Sequence, residues 1–479
     1  MAAAEKGSAS FGMIGLAVMG QNLAQNIEEH GFQTAVWNLE PEMTDKFLGQ
    51  NKGKKFTGTK TFEEFVKVLE RPRRIMMMIK AGAPVDMTLE RLCPLLEKDD
   101  VVIDGGNSWF EDTRRREADC AKKGIRFVGM GVSGGEEGAR HGPSLMPGGE
   151  KAAYDRLHPV LEKIAAKTSH GACVSYCGPD GAGHFVKTVH NGIEYAVMQL
   201  LAESYDILRR GLGLSLTEVA DTLDDWNKGP LESFLVDLTA KVCRVTDKET
   251  GKPLIDLVLD KAGQKGTGKW TAQVALDLGV PVPTIAAAIE ARVISSMKDE
   301  RVAASKRLPG PTPGPVSKDE KAALKNAARD ALYAATIGCY AQGMNLIRMA
   351  SNNYKWNINL AEMARIWRAG CIIRAKLLDP IQAAFERDKG LVNLLMDSDL
   401  GARVCELQGS WRKTLSKAVE GGIPMPAHGT CLSYFDSYRT AVLPQTLTQA
   451  QRDAFGAHTY ERVDHPERGF VHTEWLSGK

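Results

Sequence analysis

Between Lys187 and Tyr195 the sequence reads Lys-Thr-Val-His-Asn-Gly-Ile-Glu-Tyr. In a helix of about 3.6 residues per turn, Lys187, His190, Asn191 and Glu194 fall at i, i+3, i+4 and i+7 and share one face. An amine, an imidazole, a carboxamide and a carboxylate then line one stripe. Such a stripe suits a polar, anionic substrate held between a base and an acid.

Other segments supply groups that this stripe lacks. Gly15-Leu16-Ala17-Val18-Met19-Gly20 fits the G-x-G/A-x-x-G turn, whose small residues let backbone amides approach a pyrophosphate at a helix N-terminus. Asn38-Leu39-Glu40 ends the second strand, where an acidic residue suits the free 2′-hydroxyl of NAD and an Arg suits the 2′-phosphate of NADP. These residues favour NAD unless Arg73, Arg74 or another distant cation reaches in. Ile79, Lys80 and Ala81, at the end of the next apolar run, join the cofactor-binding set with Asn107. Asp104-Gly-Gly-Asn107-Ser108 and Gly131-Val-Ser133-Gly134-Gly135 follow strand ends, where open α/β sheets bind ligands. The Asn107 carboxamide can orient a ligand, and Ser133 with the next amides can bind an oxyanion. Lys265-Gly-Thr267-Gly-Lys269-Trp270 offers cations, a hydroxyl and amides and reads either as a phosphate grip or as a solvated loop, and Arg292, in a helix expected over 285–298, carries the same two readings.

The elements that must position these groups are legible in the same way. Residues 11–15, 18–29 and 33–38 read as strand, helix and strand, the opening of a parallel βαβ unit. Apolar runs at 75–79, 101–104 and 126–129 continue a doubly wound α/β domain over 1–180. From Gly183 the pattern turns to long amphipathic stretches, and an all-helical domain is expected over 181–440. The Pro/Gly segment from Leu308 to Pro315 interrupts it as a loop. Leu216-Thr-Glu218-Val-Ala220 resembles Leu360-Ala-Glu362-Met-Ala364, an offset of 144 residues, which points to an internal helical duplication. At that offset Lys187 corresponds to Ala331 and Asn191 to Ala335, so the second copy is expected to be structural. Residues 441–479, with Arg452, His458, His465, His472 and Trp475, read as a C-terminal arm lying on another surface.

Bulk properties exclude several classes. Lys+Arg 61 against Asp+Glu 59 leaves a formal charge of +2, which gives no electrostatic basis for nucleic-acid binding. No run approaches about 18 apolar residues, and the opening Met-Ala-Ala-Ala-Glu-Lys lacks the apolar core of a secretory signal, so a cytoplasmic protein is expected. The nine cysteines are scattered, with no C-x-x-C pair, which favours reduced thiols and no zinc site.

Taken in order, these segments resemble the decarboxylating 6-phosphogluconate dehydrogenases from Phe11 to about Trp475. The carriers are Gly15 to Gly20, Asp104 to Asn107, Gly131 to Gly138, Lys187 to Tyr195, Lys265 to Trp270 and Gln449 to His458. The resemblance implies oxidative decarboxylation of 6-phosphogluconate to ribulose 5-phosphate without a metal. It implies Lys187 as the base at the 3-hydroxyl and Glu194 as the acid that protonates C1 of the product after carbon dioxide departs. It assigns Asn107, Ser133, Gly134, Gly135, His190 and Asn191 to the carboxylate and hydroxyls, and Tyr195, Lys265, Thr267 and Arg292 to the phosphate. Arg452 and His458 would complete the neighbouring subunit's site in an obligate homodimer. The resemblance implies NADP as cofactor, but most members carry Asn-Arg-Thr where this chain has Asn38-Leu39-Glu40, so NAD is expected to serve at least comparably. The competing expectations are a non-decarboxylating β-hydroxyacid dehydrogenase, far shorter, and a catalytically silent dinucleotide-binding scaffold.

Overall fold

The computed structural model describes residues 7–264 and 266–476. Seven strands form one sheet: β1 (Phe11–Ile14), β2 (Thr34–Trp37), β3 (Phe56–Gly58), β4 (Arg74–Met77), β5 (Val101–Asp104), β6 (Arg126–Ser133) and β7 (Ser144–Pro147). Their order is β3-β2-β1-β4-β5-β6-β7. All neighbours are parallel except β6 and β7, with Phe11 opposite Thr34, Gly12 opposite Ile75 and Val101 opposite Arg126. The chain order reverses beside β1, and the crevice at such a switch point is where an open α/β sheet binds ligands.

Helices α1 (Val18–Glu29), α2 (Pro41–Gln50), α3 (Phe62–Lys67), α4 (Ala83–Leu92), α5 (Phe110–Ala121), α6 (Gly135–His141) and α7 (Lys151–Ile164) connect and cover the strands. Strand residues alternate between the two faces, as the two-residue period requires. Phe11, Met13, Val36, Met76, Val101 and Ile103 join one core. Ile14, Ala35, Trp37, Ile75, Met77 and Val102 join the other. The structure places α1 and β5 where the sequence pattern put them. β6 runs four residues beyond the apolar signal, because Met130–Ser133 pair with β7. The short strands β3 and β7 carry no apolar run of their own.

The helical part contains α8 (Ala182–Asp206), α9 (Leu216–Trp226), α10 (Phe234–Cys243), α11 (Thr267–Asp277), α12 (Pro283–Ser296), α13 (Lys298–Ser305), α14 (Lys318–Tyr354), α15 (Leu360–Ile366), α16 (Leu378–Arg387), α17 (Ser398–Glu420) and α18 (Pro426–Tyr438). The helix expected over 285–298 ends at Ser296, and α13 starts after Met297.

The offset of 144 residues recurs element by element. α9 starts at Leu216 behind the capping side chain of Ser215, and α15 at Leu360 behind that of Asn359. α10 (Phe234–Cys243) and α16 (Leu378–Arg387) agree at both ends. Where α8 carries Lys187, His190, Asn191 and Glu194, α14 carries Ala331, Ala334, Ala335 and Gly338, and the three alanines are wholly buried. Small residues let α14 pack closely, and a Cβ on Gly343 would meet Ile193 Cδ1 of α8 at 2.5 Å.

Two compact units are resolved, one ending at Cys431 and one beginning at Leu432. The second contains α19 (Gln445–Gly456) and a hairpin of Tyr460–Glu461 with Phe470–Val471. Its centre is Asp453, which accepts from the Thr459 amide at 2.9 Å, His472 Nδ1 at 2.9 Å, the Thr473 amide at 3.0 Å and Trp475 Nε1 at 2.7 Å. Burial opposes the charge on Asp453, but these bonds outweigh it and hold the carboxyl below its ordinary range. His472 and Trp475 of the tail therefore gather around one carboxylate.

All nine cysteines are free thiols. Among the described residues no helix is long and apolar enough to cross a membrane, and no group of three or more His, Cys, Asp or Glu can hold a metal ion.

Candidate active site

The glycine turn sits at the C-terminal end of β1. Gly15 has φ +93°, and a Cβ there would meet Met78 O at 2.6 Å. A Cβ on Gly20 would overlap Gly15 O, so the turn closes only with glycine at both positions. α1 opens behind Ala17 with no side-chain cap and no acid in its first turn. Its first amides are therefore free for an anion, and the helix dipole favours one there.

Asn38, at the end of β2, ties the turn down. Its Oδ1 accepts from the Leu16 amide at 2.8 Å, and its Nδ2 donates to Glu40 Oε2 at 2.6 Å. Glu40 is thus held at the cleft edge, while Leu39 beside it is 67% exposed.

A cleft of about 770 Å³ runs along this edge. It brings together Gly15, Ala17, Val18, Met19, Asn38, Leu39, Glu40, Ile79, Lys80 and Asn107. Leu16 and Gly20 are buried behind it, and Ala81 lies outside the lining. Arg73 does not reach in: it is buried, with Nη1 2.7 Å from Asp100 Oδ2 and Nε donating to Val66 O. Arg74 is absent from the lining too. The cations that do line the cleft are Lys80 and Arg91, and the Arg91 guanidinium stacks 4.8 Å over Phe62. Arg91, Phe62, Met87 and Thr88 were missed by sequence reasoning, since nothing local marks which faces of α3 and α4 look into the crevice.

The cleft extends to Asn107 and to Val132, the residue before Ser133. There α8 crosses β6. A Cβ on Gly131 would overlap Lys187 Cβ, and one on Gly183 would overlap Gly129 O and Met146 O. The two glycines let the helix lie directly on the strand backbone, which lodges the stripe in the interior.

Lys187 is 6% exposed and His190 fully buried. The His190 Nδ1 sits 3.1 Å from Asn191 Oδ1 and its Nε2 3.3 Å from Ser133 Oγ. An amide oxygen cannot donate, so Nδ1 carries the proton and Ser133 donates to Nε2, a neutral tautomer inferred from the network. Burial and then the Lys187 cation push the His190 pKa well below its ordinary value, in agreement. Burial also lowers the Lys187 pKa, against the pull of Glu194 and Cys371. Burial raises the Glu194 pKa, against Lys187 and Arg292. The amine is thus biased towards its neutral form and the carboxyl towards its protonated one.

On the far side of the stripe, Asn191 Nδ2 donates to Thr267 Oγ1 at 3.0 Å, and the Arg292 guanidinium stacks 3.6 Å over Tyr195. Arg292 Nη1 also bonds Gly263 O at 3.0 Å. Asn191, Tyr195, Thr267 and Arg292 therefore converge, whereas Lys265 lies outside the described residues. Ser133 is buried, and Gly134 and Gly135 adopt φ +118° and +61° beside it. Arg452 and His458 belong to the C-terminal unit, on α19 and just beyond it; there Arg452 bonds Gln449 and His458 packs on Phe455.

The second helical copy contributes a wall that the sequence did not announce. The Trp367 ring meets the His190 ring edge-on at 5.5 Å. Gly370 O accepts from the Ser144 amide at 2.7 Å, and a Cβ on Gly134 would meet Gly370 O at 2.6 Å. Cys371, buried near Lys187, has its thiol pushed up to about 12 by desolvation. The second copy lacks the polar stripe, yet it shapes the pocket around the first.

Comparison with known proteins covers nearly the whole chain. Residues 10–178 match the NAD binding domain of 6-phosphogluconate dehydrogenase, and residues 183–475 match the C-terminal domain of 6-phosphogluconate dehydrogenase. The chain belongs to the 6-phosphogluconate dehydrogenase family.

Within this 6-phosphogluconate dehydrogenase family, it is 54% identical to the NADP(+)-dependent, decarboxylating enzyme of Bacillus subtilis, over 97% of this chain and 99% of that one. It is 55% identical to the decarboxylating enzyme of Synechocystis sp., over 98% of both. The Plasmodium falciparum 6-phosphogluconate dehydrogenase structure superposes with a TM-score of 0.94 at 41% identity, covering 97% of this chain and all of the other. The shorter, non-decarboxylating alternative and the silent scaffold are not favoured by relatives of this identity and coverage.

Proposed function

We propose that this chain oxidises 6-phosphogluconate at C3 and releases C1 as carbon dioxide, giving ribulose 5-phosphate. The observation that carries the reading is the stripe on one face of α8, where burial shifts Lys187 towards its neutral form and the half-buried Glu194 towards its protonated one. Those are the forms needed for a base and an acid in the same reaction.

Neutral Lys187 takes the proton of the 3-hydroxyl as the C3–H bond breaks. A nicotinamide dinucleotide held by the Gly15–Gly20 turn, the α1 N-terminus and the cleft around Asn38 and Lys80 would supply the hydride acceptor. The ketone formed at C3 is β to the C1 carboxylate, so the C1–C2 bond can break with its electrons delocalised towards that carbonyl. Lys187, now protonated, donates a hydrogen bond to the developing enolate oxygen. Glu194 then gives its proton to the substrate's C2, which becomes C1 of ribulose 5-phosphate. Asn107, Ser133 with the Gly134 and Gly135 amides, His190 and Asn191 hold the carboxylate and hydroxyls. Tyr195, Lys265, Thr267 and Arg292 hold the phosphate.

The turn at Gly15 to Gly20 and the uncapped α1 fit a dinucleotide. NAD serves at least as well as NADP in this reading, because Glu40 is held at the cleft edge where a 2′-phosphate would meet a carboxylate. The working divisions are 1–180 for the dinucleotide, 181–440 for substrate and dimerisation, and 441–479 for the arm, in a cytoplasmic homodimer. Incubation with 6-phosphogluconate and either cofactor should give reduced cofactor and carbon dioxide in a one-to-one ratio. Reduction without carbon dioxide would overturn the reading.

The shared site has its own test. Lys187→Met and Arg452→Ala should each be inactive alone. Unfolded and refolded together, they should recover about a quarter of the unmodified activity, because mixed dimers rebuild one intact site when Arg452 acts across the interface. No recovery would place Arg452 in its own subunit's site, and an Arg452→Ala chain active alone would place it outside the site.

A further inference from the structure

A second cleft, of about 600 Å³, lies where α14 turns into α15, and none of its lining residues belongs to the stripe or the cofactor cleft. It is lined by Arg348, Lys355 and Lys389, with Asn352 and Asn357, and by no carboxylate. Among the described residues Lys355 and Lys389 form no ion pair, and Arg348 Nη2 donates to a neutral acceptor, Asn345 Oδ1, at 2.8 Å. Glu386 and Asp388, close to Lys389 in sequence, do not line the cleft. Three cations therefore share one concavity with no counter-charge on its walls.

The internal repeat shows that the fold does not require them. At the offset of 144 residues, Arg348, Asn352, Lys355, Asn357 and Lys389 correspond to Ser204, Leu208, Gly211, Gly213 and Val245. Asn357 has φ +54° and Gly213 φ +64°, so both copies need a left-handed residue there. The first copy uses glycine and the second places an amide side chain at the same backbone. Lys355 is left-handed as well, at φ +58°, which a β-carbon disfavours. Between them Trp356 is buried and donates from Nε1 to Asp180 Oδ1 at 2.7 Å, which pins the turn and holds its flanking residues at the cleft. In its left-handed conformation Lys355 is the C-cap of α14, its amide donating to Ser351 O. Other polar residues of the cleft are already used: Ser351 Oγ accepts from the Ile358 amide, and Asn359 caps α15. Asn352 and Asn357 remain to donate.

We infer that this cleft binds a small phosphate-bearing anion of at least two negative charges, held by Arg348, Lys355 and Lys389 and oriented by the two amides. The probe is pyrophosphate, titrated calorimetrically into the full chain saturated with 6-phosphogluconate and reduced NADP, which occupy the phosphate grip and the glycine turn without turnover. Binding is expected with Kd of about 1 mM or tighter, weakening as KCl is raised. In Lys355→Gln/Lys389→Gln the affinity should fall at least tenfold, with the thermal midpoint, kcat and KM unchanged. The comparison is between two chains in one buffer, so it decides the matter even if the proposed substrate does not bind. No heat from the unmodified chain, or equal affinity in the double variant, would overturn the assignment. Citrate titrated in parallel tests the phosphate requirement, and equal binding of citrate would overturn that part.

Discussion

Lys187→Met should leave the dinucleotide bound and lower kcat by about 10²–10⁴-fold, the usual contribution of a positioned general base. Lys187 enters the site over Gly131, in a pocket that disfavours its charge. Its lowered pKa means that the neutral base gains population below the ordinary range of lysine. The rate should therefore rise with pH through that shifted value, as the amine loses its proton. Lys187→Arg keeps a cation of similar length but cannot deprotonate. It should lose that rising limb together with the activity. A Lys187→Arg enzyme whose pH–rate profile matches the unmodified one would refute the assignment. Retained cofactor binding, followed by nucleotide fluorescence, separates lost chemistry from a damaged fold.

The second large effect concerns the cofactor. Leu39→Arg with Glu40→Thr replaces an exposed apolar residue and a carboxylate by a guanidinium and a hydroxyl. A charge-assisted hydrogen bond contributes roughly 1.5–3 kcal/mol, so kcat/KM for NADP should rise by about 10–150-fold. That for NAD should fall, because the carboxylate that suits the ribose hydroxyl is gone. The turn should survive the exchange, since Asn38 Oδ1 still accepts from the Leu16 amide. Steady-state kinetics with both cofactors check this. A large NADP preference in the unmodified chain would show that Arg91 or Lys80 outweighs Glu40.

The features that were legible in the sequence depend on short-range periodicity. α1 and the stripe on α8 follow from spacings within one or two turns, and the glycine turn from the strand before it. What was not legible depends on distance along the chain. Trp367 and Gly370 reach the site from a helical copy more than 170 residues beyond Lys187, through contacts that no local pattern encodes. Arg91 and Phe62 face the cofactor cleft because of how α3 and α4 pack on the sheet, whereas the charged candidate read from sequence, Arg73, is consumed by Asp100. β3 and β7 are too short to show a period of their own.

The repeat also bears on how the pocket assembles. Because both helical copies lie on one polypeptide, the encounter of the stripe with its Trp367 wall is a unimolecular event. A tether replaces bulk concentration by an effective one in the millimolar range or above. Dilution therefore leaves that half of the pocket assembled, and only groups donated by another chain remain subject to mass action.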